Sequence, residues 1–594
     1  MNFKSFVYLL IFALIAFTLN SCGFLFPVDE VVEINYIDES ASNVATANRF
    51  DVFHVETTSD YVNLKYKISN LYNNDVYFIF TNVSVDSSRS NPTVDASYST
   101  NDAPVNSVRN TEDINELRVV DNYKAKEFNQ NPSKFIDFDK IKSDNGRFTS
   151  RTLLNDYVGA SQIFYTTNST TEGVVRATCR SCREVTADMN KTKTLSIYVA
   201  DNCWKTDGAT DKKFYVTKEM VETLAAKFLS AGPGNDIYDW VTGIYGEEWG
   251  VHDNRYYIEP NDNITILLCD IEEDDVPKNS IVMGYFHSKD SLIKTEQTGF
   301  SNQRIMFYID AVMFANHTTA DGKPGDGVWQ ITDYWPQSTI SVLSHEFQHM
   351  IHFYQKFILN KLQRSSEIWL EEMCSLVTED FVSNKIRANG PRGVNYYDPT
   401  HGSPGNIYGR LPLYNEYDDD SVSTWLTGDD VLRSYSSSYS YGAYLARNYG
   451  GVGFFKLIVQ SPFTDYRAID DALAKSGYSD DFFKTLQNWG AAVILSDLAA
   501  SEPYRYNSNN AAWMTSDSDK GVSYELGSIN LYNYTRNGQV GPYIYKYSPV
   551  GLERKLRSLN SSSNRFYLVS KNAGGTLERT IKLDKNVKLT VVKK

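Results

Sequence analysis

Positive charge is in the minority in this chain of 594 residues, which has 58 Lys and Arg against 73 Asp and Glu and a formal net charge of −15. A nucleic-acid-binding protein would carry a basic patch or stripe, so this balance argues against a nucleic-acid partner. Histidine and cysteine are rarer, with only 8 and 6 residues. A cluster of histidines in such a chain therefore calls for a chemical explanation.

Long apolar runs are absent after residue 22, so no later segment is predicted to cross a membrane. The run Phe6–Leu19 is apolar, follows Lys4 and is shorter than the roughly 20 residues of a membrane span, which is the pattern of a signal peptide. The residues LNSC at 19–22 resemble the bacterial lipobox. This resemblance implies a lipoprotein signal peptide at 1–21 and an acylated Cys22. The protein would then be exported, anchored to a membrane and exposed to the periplasm or the cell exterior, while a plain secreted protein is the alternative.

Strand-like segments occupy both ends of the chain. VNLKYKISN at 62–70 and VYFIFTNVSV at 76–85 alternate β-branched or aromatic residues with polar ones, and so do PYIYKYSPV at 542–550 and RFYLVSK at 565–571. We therefore predict an N-terminal β-rich domain at 22–150 and a C-terminal β-domain at 520–594. A chain of this length exceeds what one hydrophobic core usually supports, which favours several domains.

Strands and helices alternate in the central region. TLSIYVAD at 194–201, NITILLCDI at 263–271 and RIMFYIDAVMF at 304–314 read as strands. Thr217 is placed to cap a helix whose apolar residues follow helical spacing. The pattern predicts a multidomain α+β protein with a catalytic domain at about 190–515.

The stretch SHEFQHMIHF, residues 344–353, contains an HExxH pattern. On a helix that begins near Pro336, His345 and His349 lie four residues apart and project from one face, so they can share one ion. Neutral imidazoles suit Zn²⁺, and the carboxylate of Glu346 can take a proton from the attacking water. The alternative is a solvated helix face with two unrelated histidines.

A tetrahedral zinc site needs a third protein ligand. The metzincin pattern fails, because Gln355 stands where the third histidine is required and His352 cannot easily reach the same ion. Gluzincins use a Glu from a later helix, and residues 365–382 form a candidate helix that Ser365 or Ser366 can cap. Its segment WLEEM resembles the WLNEG stretch of aminopeptidase-N-like gluzincins. That resemblance implies Glu372 as the third ligand, with Glu371 as the next candidate and Glu367 and Glu379 as further alternatives.

Two supporting groups are also predicted from these resemblances. The position four residues after Glu372 carries a histidine-orienting acid in thermolysin-like enzymes, but here it is Leu376, so another acid such as Glu379 or Asp333 must serve. The donor that stabilises the oxyanion is a Tyr in a YxKGA stretch of aminopeptidase-N-like enzymes. The stretch YSYGA at 439–443 is similar, which implies Tyr439, with Tyr441 as the alternative.

The combination of HEFQHMIHFYQK with EIWLEEMCS, preceded by GYFHSKD and MFYIDAVMF, resembles the hyicolysin-like family of secreted bacterial zinc metallopeptidases. The likeness extends over roughly residues 194–449. It implies a thermolysin-like gluzincin fold, a Zn²⁺ cofactor held by His345, His349 and Glu372, and endopeptidase activity on proteins or peptides. The alternative is a non-catalytic, surface-binding lipoprotein that retains the peptidase fold.

Overall fold

A computed structural model describes the larger part of the chain. The described residues are 34–40, 50–56, 62–85, 93–94, 118–119, 122–143, 156–167, 172–187, 191–208, 210, 212–271, 280–319, 325–362, 364–388, 390–391, 409–496, 500–506, 512–514, 523–547, 557–583 and 586–594. The predicted signal peptide at 1–21 and Cys22 lie outside them. Among the described helices, none combines the length and the apolar character that crossing a bilayer requires.

The strands of the described residues are, in chain order, β1 (Ile34–Ser40), β2 (Asp51–Val55), β3 (Val62–Ser69), β4 (Asn74–Asn82), β5 (Thr93–Val94), β6 (Arg118–Val119), β7 (Ser161–Thr167), β8 (Glu172–Thr186), β9 (Thr192–Ala200), β10 (Asn263–Cys269), β11 (Ser280–Ile281), β12 (Gly284–Phe286), β13 (Ile305–Asp310), β14 (Ala512–Met514), β15 (Ser523–Glu525), β16 (Thr535–Arg536), β17 (Gln539–Val540), β18 (Ile544–Lys546), β19 (Arg557–Ser558), β20 (Asn564–Ala573), β21 (Leu577–Leu583) and β22 (Val587–Lys593).

The α-helices of the described residues are α1 (Tyr123–Gln130), α2 (Phe138–Ser143), α3 (Lys218–Phe228), α4 (Ile237–Tyr245), α5 (Ala311–Phe314), α6 (Tyr334–Phe353), α7 (Ile368–Ile386), α8 (Arg410–Glu416), α9 (Val431–Asn448), α10 (Gly451–Gln460), α11 (Arg467–Lys475) and α12 (Phe482–Leu495). The mixed α+β class predicted from the sequence is confirmed.

A six-stranded mixed sheet, in the order β12-β13-β10-β9-β8-β7, lies in the central region. Strands β9, β10 and β13 run parallel to one another, and their near-continuous apolar residues are buried as expected for parallel strands covered on both faces. Strand β12 pairs antiparallel with β13 and forms one edge of the sheet. This edge lies next to helix α6. The backbone N–H of Phe286, on β12, donates a hydrogen bond to the side chain of Glu346, on α6.

Two predicted element boundaries are corrected by local hydrogen bonds. The strand predicted to run to Phe314 ends at Asp310, because the Asp310 carboxylate accepts from the N–H of Met313 at 2.7 Å and caps the short helix α5. The predicted caps of α7, Ser365 and Ser366, are wrong. The N-cap residue is Glu367, while the Ser366 hydroxyl is bonded to Nε2 of His352 at 2.8 Å.

Two five-stranded sheets combine strands from both ends of the chain, in the orders β1-β3-β21-β5-β19 and β18-β20-β4-β22-β2. Strand β4 lies between β20 and β22, and β21 pairs with β3. Apolar side chains of these strands form one buried cluster, which includes Tyr66, Phe78, Phe80, Tyr567, Ile581 and Leu589. The two terminal β-rich regions therefore share their sheets instead of forming separate ones, while the boundaries at 22–150, 190–515 and 520–594 stay predictions.

Candidate metal centre

Helix α6 places the two histidines of the HExxH pattern on one face. The predicted helix is present, and its apolar residues Ile340, Leu343 and Phe347 are buried in the main core. The rings of His345 and His349 lie 4.7 Å apart between centroids, and both side chains are buried. The four-residue spacing thus brings the two imidazoles together as the sequence predicts.

Helix α7 adds the carboxylate of Glu372 to this pair. One carboxylate oxygen, Oε2, lies 3.3 Å from Nε2 of His345, and the other, Oε1, lies 3.3 Å from Nε2 of His349. One ligand atom from each of the three residues lies within 4.8 Å of the other two. The structure therefore brings together the three residues that were predicted to hold a metal ion.

The hydrogen bonding of these atoms fits a bound cation. Nε2 of His345, Nε2 of His349 and Oε2 of Glu372 are buried without a hydrogen-bond partner among the described residues. Buried polar atoms are normally paired, so three such atoms facing one point need a ligand. Two imidazole nitrogens and a carboxylate oxygen are the donor set of many catalytic zinc sites, which leave a fourth position open.

The remaining ring nitrogens are held by neighbouring side chains. Nδ1 of His345 lies 2.8 Å from Oε1 of Glu379, whose other oxygen accepts from the hydroxyl of Ser341. Nδ1 of His349 lies 3.1 Å from the Ser375 hydroxyl and 3.4 Å from Oε1 of Glu371. Such contacts fix the orientation of each ring and turn its Nε2 towards the point where a metal ion would bind.

These contacts also separate the alternatives for the third ligand. Glu379, which the sequence offered both as a ligand and as a histidine-orienting acid, is placed to orient His345. Glu371 lies beside Nδ1 of His349, the ring nitrogen that does not face Glu372. Glu367 accepts a hydrogen bond from the indole N–H of Trp369 at 2.8 Å. His352 points away from the cluster, with Nε2 on Ser366.

Burial and charge pull the pKa values of the cluster in opposite directions. Burial alone would lower the pKa of His349, but the carboxylates of Glu372 and Glu371 raise it to about 10. Burial alone would raise the pKa of Glu372, but Lys126 and the two histidines hold it well below its usual range. The Glu372 carboxylate and its neighbouring groups thus stabilise one another's charged forms.

Glu346 lies between the histidines and the edge of the central sheet. Its side chain is buried, and Oε2 accepts from the N–H of Phe286 at 2.8 Å. Together with His349 it lines a small cavity beside the cluster. This position fits the predicted role of a proton acceptor, because the carboxylate faces the space in which a water molecule would sit.

The two tyrosines proposed to stabilise the oxyanion have other partners. The hydroxyl of Tyr439 donates to Oδ2 of Asp380 at 3.0 Å, and Arg447 donates to the same oxygen at 3.0 Å. The Tyr441 hydroxyl lies 2.6 Å from the Thr485 hydroxyl. The role of Tyr439 stays a prediction, and its hydroxyl is engaged by Asp380.

Sequence reasoning missed Lys126, which reaches the cluster, and Tyr435, which contacts Lys126. The ammonium group of Lys126, on α1, lies 2.7 Å from Oε1 of Glu372 and also donates to the hydroxyl of Tyr435. Tyr435 lies one helical turn before Tyr439 on α9, and the comparison of YSYGA with the YxKGA stretch did not point to it. Nothing in the sequence near Lys126 indicates its contact with Glu372, which lies far along the chain.

Comparisons with known proteins cover this region. The sequence model of the family Peptidase M30 matches residues 181–515, which include both helices of the cluster. A neutral metalloprotease of Staphylococcus hyicus, ShpI, is 25% identical to this chain over 285 residues, which are 48% of this chain and 52% of that relative. The chain thus spans about half the length of the curated relative that it matches. Because the family match covers more than half of the 594 residues and contains the metal-binding cluster, this chain belongs to the peptidase M30 family, as its resemblance to hyicolysin-like enzymes predicted.

Proposed function

We propose that this chain is a zinc-dependent endopeptidase that hydrolyses peptide bonds in proteins or peptides. The observation that carries the proposal is the cluster of His345, His349 and Glu372, whose unpaired atoms face one point, with Glu346 beside it. The family match and the metalloprotease relative support the same reaction class.

Each side chain has a separate task in the proposed reaction. His345, His349 and Glu372 would hold Zn²⁺, which when bound supplies Lewis acidity to the scissile carbonyl and to the attacking water. Glu346 would take a proton from that water and pass it to the leaving amine. Its hydrogen bond from Phe286 fixes the carboxylate at the edge strand β12, where the backbone of an extended substrate can pair.

The oxyanion donor is best assigned to Tyr435. The ammonium group of Lys126 contacts both the Tyr435 hydroxyl and the Glu372 carboxylate, so this hydroxyl lies close to the cluster. A hydroxyl there can donate to the oxygen on which negative charge develops. The hydroxyl of Tyr439 is instead engaged by Asp380.

The first test is a Glu346→Gln variant. We expect cleavage of casein or a quenched peptide to fall by at least about 100-fold, because the amide cannot accept the proton. Zinc content should stay at the wild-type value, since Glu346 is not a ligand. The exposed Glu219→Gln on α3 serves as the matched control and should cleave at the wild-type rate.

Cleavage by Glu346→Gln at the wild-type rate would remove Glu346 as the base. The non-catalytic alternative predicts that the wild-type protein itself cleaves no substrate. Purified protein that carries no metal, cleaves no substrate and binds a surface partner equally well in chelator would favour that alternative.

We further propose that the protein is exported and lipid-anchored through Cys22. The support is the signal-like run and the LNSC residues at 19–22. Metabolic labelling with palmitate should mark the wild type and not a Cys22→Ala variant. Equal labelling of both, or a soluble wild-type protein, would contradict the anchor.

A further inference from the structure

Helix α1 covers the candidate metal centre, although it lies outside the family match at 181–515. Ala125, Lys126 and Asn129 of α1 line the cavity beside the cluster, together with residues that include Phe286, Glu346 and His349. The volume of this cavity is about 20 Å³. Because about 10–15 Å³ holds one water, this cavity admits water but not a peptide while α1 lines it.

Lys126 places a positive charge against the third candidate ligand. Its ammonium group lies 2.7 Å from Oε1 of Glu372, the oxygen that also faces His349. The ammonium group also lies 5.1 and 4.6 Å from the ring centroids of Trp425 and Tyr435. A buried carboxylate needs a counter-charge, and either this ammonium group or a metal ion can supply it. The two cations therefore compete for one carboxylate.

Asn129 occupies backbone groups at the edge of the central sheet. Its amide donates to the carbonyl of Phe286 at 2.8 Å and accepts from the N–H of Ser288 at 2.7 Å. The N–H of Phe286 donates to Glu346, so both of its backbone groups point out of the sheet. An extended peptide that adds to this edge would need the Phe286 carbonyl and the Ser288 N–H, which Asn129 occupies. The side-chain amide of Asn129 thus takes the place of a substrate peptide group.

Further contacts hold α1 across the cleft. Asn122 caps the helix through the N–H of Ala125 and donates to the carbonyl of Thr167 at 2.6 Å. At the other end the carbonyl of Gln130 accepts from the N–H of Ser365, just before α7, at 2.8 Å. A helix of eight residues is marginal in water on its own, so these contacts are what keep it folded there.

From these contacts we propose that α1 is an inhibitory plug, in which Lys126 takes the counter-charge role of the metal ion at Glu372 and Asn129 blocks the substrate-pairing edge. The plug must leave the cleft before a peptide can reach Glu346. This inference rests on the proposed peptidase function, since a plug has meaning only for a site that admits substrate.

The test uses the full chain with Lys126→Met or Asn129→Ala. Methionine keeps the length of the aliphatic stem but removes the charge. We expect Lys126→Met to raise zinc affinity at least tenfold, measured against a chromophoric chelator without substrate. Both variants should cleave a quenched peptide at least several-fold faster than the wild type. Lys218→Met, at an exposed lysine on α3, is the matched control and should change neither quantity.

The outcomes separate the plug from the reaction itself. If the wild type cleaves peptide and Lys126→Met binds zinc no more tightly, the plug is overturned while the function stands. Folded variants that both cleave more slowly than the wild type also overturn it, because α1 would then belong to the working site. If no variant cleaves peptide but Lys126→Met binds zinc more tightly, the counter-charge role holds and the proposed function fails. Should Lys126→Met not fold, Asn129→Ala decides alone through its cleavage rate.

Discussion

At the scale of single residues, the two ring nitrogens of each histidine have different tasks. Nε2 of His345 faces the metal-binding point because Nδ1 is held by Glu379. Without that contact the ring could rotate, and Nε2 would no longer face the metal-binding point. The affinity for the metal ion should therefore depend on the contact with Glu379 and not only on His345 itself.

Replacing Glu379 by Ala should weaken zinc binding by about 10- to 100-fold, because His345 loses the acceptor on Nδ1. Equilibrium dialysis against a chelator measures the change. Glu379→Gln, which keeps an acceptor oxygen but no charge, should lie between Ala and wild type. Equal affinities in all three proteins would show that Glu379 does not orient the ligand.

The two tyrosines of α9 give a matched pair for the oxyanion role. Tyr435→Phe should lower kcat by about 10²- to 10³-fold with little change in KM, because the lost hydroxyl acts on charge that develops in the transition state. Tyr439→Phe should cost about 1 kcal/mol of stability through its lost bond to Asp380 and leave kcat within a few-fold. Steady-state kinetics on both variants decide the assignment, and the reverse pattern would restore Tyr439.

At the scale of elements, the metal centre depends on how α7 packs between α6 and α9. Gly442 on α9 allows a close approach, since a Cβ there would lie 2.6 Å from Cγ of Met373 and 2.7 Å from Cγ2 of Val377. Both contacted residues are on α7, where Met373 directly follows Glu372 and Val377 lies one helical turn further on. The buried pair of Arg447 and Asp380 joins the same two helices.

Gly442→Ala should therefore destabilise the protein by about 1–3 kcal/mol through overpacking, and should weaken zinc binding because α7 must shift. Gly453→Ala on α10 is the control, since its Cβ meets nothing within 4 Å. It should gain about 0.5–1 kcal/mol from better helix propensity. Thermal unfolding with and without zinc measures both effects, and equal unfolding of the two variants would refute the packing argument.

At the scale of the whole molecule, the shared terminal sheets tie the two ends of the chain together. Strand β22 lies between β2 and β4, so C-terminal residues complete a sheet that N-terminal strands begin. The side chain of Asn564, on β20, donates to the carbonyl of Leu486 on α12 at 3.0 Å. The terminal β-structure is thus also bonded to a helix of the central region.

Truncating the buried Leu589 to Ala should destabilise the shared sheets by about 2–5 kcal/mol. Hydrogen exchange should then rise in β4 at Phe78 and Phe80 as well as in β22, since the strands are neighbours. Lys588→Ala, at the adjacent half-buried position, should leave β4 protected. Faster exchange confined to the C-terminal strands would mean that the two ends fold independently.

The sequence by itself determined the parts of this protein that depend on short spacings. Helical geometry fixes how residues four apart relate, so the pairing of His345 with His349 and the position of Glu346 could be predicted, as could the apolar strands β9, β10 and β13. Only the tertiary structure decided which carboxylate of α7 faces the histidines, that Glu379 orients His345, that the terminal strands pair, and that Lys126 reaches Glu372. Those contacts join residues far apart in the chain, and their geometry depends on how whole elements pack, which local patterns do not encode.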